Sequence, residues 1–121
     1  MRRVFPIALV VVLLASAGVA LDAGPTIKVS PTTVQQGYEA RVFGVVPGCA
    51  VGNRVTLLSR AFSHRHELAG VPAIFAEVKA EHKYSKRTLI PARRRPGRYA
   101  ITGRCGGGSL GVTAHLRVIR Y

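Results

Sequence analysis

Residues 97–118, GRYAITGRCGGGSLGVTAHLRV, decide how this chain is read. Two runs with an apolar residue at every second position flank a glycine cluster, the pattern of a β-hairpin. In the first run Tyr99, Ile101 and Cys105 share one parity against Ala100, Thr102 and Arg104. In the second, Val112, Ala114, Leu116 and Val118 alternate with Thr113, His115, Arg117 and Ile119. A strand sends successive side chains to opposite faces, so each run predicts one buried and one solvated face. Gly106, Gly107 and Gly108 predict a turn that needs positive φ or a close backbone approach beside Cys105. A phosphate-cradling loop is the other reading of three glycines, but such loops lead into a helix N-terminus and a strand follows here.

The alternation continues outward from the hairpin. Upstream, residues 84–90 read as a strand stopped by Pro91, and residues 92–97 (ARRRPG) as a basic loop. Ile74, Ala76, Val78 and Ala80 alternate with Phe75, Glu77 and Lys79. Ala, Glu and Lys are also good helix formers, so a helix competes there; the strict alternation after Pro72 favours the strand. Residues 60–72 (RAFSHRHELAGVP) hold no period and form the longest irregular stretch. Val55 and Leu57 mark a strand, and residues 47–53 a loop rich in turn formers. Ala40, Val42, Gly44 and Val46 line the apolar side of another strand, and residues 32–37 read as a crossing segment and turn. Residues 27–30 (IKVS) make a first strand, stopped by Pro31, which has no N–H to give a ladder. Seven short strands with turn signals between them predict an all-β, antiparallel sandwich.

The amino end stands outside this pattern. Met1-Arg2-Arg3, the apolar run IALVVVLL at residues 7–14 and the small residues up to Ala20 have the layout of a secretory signal. A retained anchor competes, because residues 4–21 are uncharged and near the lower limit for spanning a bilayer. Pro6 and the small-residue end favour cleavage near Ala20. The expected organisation is a signal peptide at residues 1–20 and one domain at residues 21–121, with no transmembrane helix in the mature chain. That places the protein outside the cell or at the cell wall. In an oxidising compartment the two cysteines, Cys49 and Cys105, are expected to pair, with buried free thiols as the alternative. Closing so long a loop contributes about 4 kcal/mol on the chain-entropy estimate.

The full chain carries 18 Lys and Arg against 5 Asp and Glu, a net charge of +13; loss of Arg2 and Arg3 lowers this to +11. Such a field draws anionic polymers in a salt-sensitive way, whether envelope glycopolymers, phospholipid headgroups or released nucleic acid. The densest candidate patch is Arg93, Arg94, Arg95 and Arg98, with Lys83, Lys86 and Arg87 on the preceding strand. The planar arginine fork donates two hydrogen bonds at once to phosphate or sulfate, so an anionic cell-envelope polymer is the expected partner, with another surface protein as the alternative. A solvated turn that only keeps the chain soluble is the plainer reading. No aromatic interleaving accompanies these charges, so sequence-specific recognition of nucleic acid is not expected.

His64-Arg65-His66 sets two imidazoles on one side of an extended segment, and His82 or His115 offers a third nitrogen for zinc or copper. The ligand set is short, since the one aspartate is Asp22, and a solvated loop accounts for the pair equally well. Glu77 and Glu81 with lysine between them read as a charged outer face rather than a glycosidase pair. No G-x-S-x-G elbow occurs. The expectation is a non-enzymatic module without metal or cofactor.

Residues 27–34 (IKVSPTTV), the turn at Gly37, Pro47-Gly48-Cys49, Ile90-Pro91 and Pro96-Gly97-Arg98-Tyr99 together resemble the immunoglobulin-like domains of secreted actinobacterial proteins. The resemblance implies an immunoglobulin-like sandwich in which Tyr99 closes a corner near the start of its strand. The chain has no tryptophan, and Cys49 falls in a loop, so the bridge is expected to pin one end of the sandwich rather than cross its core. The opening strand and its Ser, Pro and Thr turns are also similar to the apoproteins of enediyne chromoprotein antibiotics. That similarity implies a carrier with a hydrophobic cleft for a small ligand.

Overall fold

A computed structural model describes residues 24–121. The expected signal peptide and residues 21–23 lie outside the described residues. Ten strands form: β1 (Lys28–Ser30), β2 (Thr33–Gln35), β3 (Glu39–Val45), β4 (Arg54–Leu58), β5 (Glu67–Leu68), β6 (Val71–Glu77), β7 (Lys83–Leu89), β8 (Gly97–Cys105), β9 (Gly108–Ser109) and β10 (Ala114–Ile119). They build two sheets, one of three strands in the order β1-β3-β7 and one of seven in the order β2-β10-β8-β4-β6-β5, with β9 also on β8. The sheet structure is curled into a half-barrel, so the molecule is an all-β, two-sheet fold rather than a clear case of the expected immunoglobulin-like sandwich.

The hairpin supplies the centre of the larger sheet. Ile101, Leu116 and Val118 are buried while Thr102, His115 and Arg117 face solvent, as the alternation requires. Gly106 (φ 63) and Gly107 turn the chain so that Cys105 pairs with Gly108 and Arg104 with Ser109. The ladder then breaks, and pairing resumes at Ile101 and Ala114, two residues further along the return strand than the first register would give. At the break Leu110 packs over Gly103, where a Cβ would lie 2.8 Å from the Leu110 Cδ1, and Gly111 takes a positive φ of 77°. The return strand thus starts at Ala114 rather than Val112. The two sheets close on Val42, Val55, Leu57, Phe62, Tyr84, Ile90, Ile101 and Leu116, all fully buried or nearly so. Each such side chain contributes roughly 1.5–3 kcal/mol of transfer free energy.

All seven expected strands are present, and three short ones join them. Residues 32–37 contain β2, which runs parallel to β10, so the fold is not wholly antiparallel. The chain changes sheet across Pro31 and Thr32 without room to reverse, and arrives beside β10 heading the same way. Residues 60–72 are not wholly irregular either, since β5 and β6 form a hairpin around Ala69 (φ 53) and Gly70 (φ 83). Positive φ at both central residues is the type I′ geometry that matches strand twist. The helix reading of residues 74–80 is excluded: β6 ends at Glu77, and only a single 3₁₀ turn, Ala80–His82, follows.

Cys49 and Cys105 are bonded, with Cα atoms 6.1 Å apart. Cys49 sits in the turn after β3 and Cys105 ends β8, so the bridge pins one end of the molecule, where the His82 imidazole also donates to the Cys49 carbonyl at 2.8 Å. At the opposite end the Tyr99 hydroxyl donates to the carbonyl of Arg95, four residues upstream.

Candidate functional site

The structure distributes the seven expected basic residues over several surfaces. Lys83 opens β7, and at about 3.4 Å per residue the six steps to Leu89 put it ~20 Å from the end where the arginine loop lies. Lys86 stands opposite buried Val42 and faces the seam between the sheets, whereas Arg87 pairs with Arg41 on the outer face, with the Glu39 carboxylate 4.0 Å away. Arg98 lies across from Arg117 on the outer face of the larger sheet. Arg94 turns inward and donates to the Phe62 carbonyl at 2.9 Å; its Nε is buried and has no protein partner. Arg93 and Arg95 remain exposed and together.

The same end of the molecule carries two tyrosines that the linear sequence keeps far apart. Tyr38 and Tyr121 stack with ring centroids 5.9 Å apart, and are 51% and 80% exposed. Gln36 ties this pair to the loop by donating to the Arg94 carbonyl at 2.7 Å and accepting the Tyr121 N–H at 3.2 Å. No local signal joins positions 38, 94 and 121; the tertiary fold does.

The Arg94–Phe62 bond also joins the two irregular loops, and beside it a groove opens. Its volume is about 710 Å³, and it lies in the seam between β6 of the larger sheet and β7 of the smaller. Ala73, Ile74 and Phe75 form one wall, Thr88, Leu89 and Pro91 the other, and Arg65, His66, Lys86 and Arg87 supply cationic or titratable groups around them. Leu89 is 54% exposed, an apolar side chain left uncovered at this edge. The His66 ring tilts against Phe75 at 5.2 Å, and the Arg54 guanidinium covers the same ring at 4.2 Å. β6 is held there by its full ladder with β4, while the loop before it is anchored by buried Ala61 and Phe62. The groove is therefore walled by fixed elements on both sides.

The histidines do not converge. His64 donates to Glu67 at 2.7 Å in an exposed pair, His82 serves the disulfide end, and His115 lies on the outer face of β10. Among the described residues no three His, Cys, Asp or Glu side chains gather at metal-binding distance. Glu77 and Glu81 pair with Lys79 at 3.6 Å and Lys83 at 3.0 Å, all exposed. Among the described residues no helix is long and apolar enough to cross a membrane.

No family model matches the sequence, and no curated protein matches it. Among solved structures the chain is similar to macromomycin, an enediyne chromoprotein apoprotein, with a TM-score of 0.49 and 13% sequence identity over 81% of this chain and 100% of that one. At that score the likeness carries no argument about ligand or site.

Proposed function

We propose that the chain is a non-enzymatic, exported binding protein on an immunoglobulin-like framework, and that its seam groove carries a small molecule with an apolar body and an acidic group. The observation that carries this reading is the groove itself: about 710 Å³ between two sheets, within the range of small-molecule sites, with an apolar interior and cations at its rim. The strand order favours the framework, since β8, β10 and β4 are neighbours in one sheet and β1, β3 and β7 in the other, the grouping of a Greek-key sandwich. The disulfide accords with an oxidising compartment. A dye with fused rings and one sulfonate, anilinonaphthalene sulfonate, is the probe. Its fluorescence titration is expected to saturate at one site and to vanish in Ile74→Trp, which fills the groove. Lys86→Glu is expected to weaken the dye about tenfold and leave the neutral analogue phenylnaphthylamine unaffected. Undiminished binding by Ile74→Trp would sink the proposal.

The exposed Arg93 and Arg95, in the loop that Gln36 ties to the Tyr38–Tyr121 end, favour a second reading, attachment to an anionic envelope polymer. Such attachment weakens steeply with salt and on replacing both arginines by alanine; binding indifferent to salt excludes it.

A further inference from the structure

The outer face of the smaller sheet holds a feature that neither the groove nor the arginine loop uses. Lys28, Arg41, Lys79 and Lys83 surround a shallow cup of about 440 Å³ with Phe43 and Ser85 in its floor. We infer that this cup is a second ligand site, taking a molecule that bears two or more linked phosphate groups. β7 separates it from the groove: Lys83 and Ser85 share the outer parity, whereas Lys86 points to the seam.

Arg41 is the residue that makes this more than a charged surface. Its guanidinium lies over the Phe43 ring at 4.3 Å, and Nη1 donates to the Ser85 Oγ at 3.1 Å. The fork is thus held in place before any ligand arrives, so little side-chain freedom is lost when its remaining N–H groups bind an oxyanion. Lys28 stands directly across from Phe43 on β1, which puts a second cation on the same face. Among the described residues neither Lys28 nor Arg41 has a carboxylate partner. Arg41 instead faces Arg87 across the ladder, an arrangement of like charges that costs stability in the free protein and that an anion relieves. Lys79 and Lys83 complete the ring, and their pairs with Glu77 and Glu81 are exposed and weak enough for a phosphate to displace. Four cations around one opening suit a multiply charged ligand better than a single carboxylate, and the cup has room for more than one phosphate.

Inorganic tripolyphosphate tests this by calorimetric titration of the mature protein. Saturable binding is expected, at least tenfold weaker in the double variant Lys28→Gln/Arg41→Gln. Glu81→Gln, which frees Lys83, is expected to bind several-fold tighter. Arg117→Gln/Arg120→Gln removes the same charge from exposed positions on and just after β10 of the larger sheet and should stay within about twofold of the parent. An equal loss in that charge-matched control would show that tripolyphosphate reads only net charge, and would overturn the site. So would the absence of saturable binding, or binding to anionic phospholipid vesicles alone. Competition by poly(glycerol phosphate) identifies a phosphodiester polymer as the source and its failure a small soluble phosphate; both support the site. The dye titration of the groove is unaffected by either result.

Discussion

Tyr84 shows how one side chain ties strand pattern to stability. Its parity on β7 sends it inward, where it is 1% exposed, and its hydroxyl donates to the Thr26 carbonyl at 2.9 Å. Burial pushes the hydroxyl pKa well above the ordinary tyrosine value, because a phenolate there would lose its hydration. Below about pH 10 both folded and unfolded chains keep the proton; above it the unfolded chain releases the proton and the folded chain holds it, so stability falls as pH rises. Tyr84→Phe should cost about 1 kcal/mol at neutral pH through the unpaired carbonyl and flatten the alkaline decline. Denaturant titrations at pH 7 and pH 11 measure both, and an alkaline decline as steep in the variant assigns it to other groups. That Tyr84 lies on a strand was legible in the sequence, although the face it takes was not. Its partner was not, because Thr26 reaches it only where the chain passes so close to Gly44 that a Cβ there would strike the Thr26 carbonyl.

At the scale of elements, alternation identified every long strand, because burial on one face imposes a period of two. Short elements escaped it. β2 and β9 are too brief to show a period, and the β5–β6 turn depends on Ala69 at positive φ, a conformation alanine rarely takes. The arginine loop shows the same limit for function: Arg93, Arg94 and Arg95 are chemically identical in sequence, yet only Arg94 turns inward to bridge two loops. Arg94→Ala should destabilise the fold by about 1.5–3 kcal/mol, the range for a hydrogen bond from a charged group, and raise hydrogen exchange in residues 60–66. Arg93→Ala and Arg95→Ala should each stay within about 0.5 kcal/mol of the parent. Equal effects at all three positions would dismiss the tether.

For the whole molecule the decisive link is the bridge between Cys49 and Cys105, 56 residues apart. Chain entropy assigns it about 4 kcal/mol, a large share of what a domain this size retains. Thermal melts with and without reductant should differ accordingly, and a difference below about 1 kcal/mol would mean that the remaining contacts hold that end unaided. The sequence by itself determined the strand-rich class and the strongly basic charge and favoured pairing of the two cysteines, since period, count and charge are properties of the linear chain. Only the tertiary structure decided where the charge goes: Lys83 to the cup, Lys86 to the groove, Arg94 inward, and Arg93 and Arg95 to a shared end with Tyr38 and Tyr121. The reason is geometric. Adjacent residues of a strand point to opposite faces, while residues far apart in the chain become neighbours through sheet pairing, so a run of like residues in sequence need not be one surface in space.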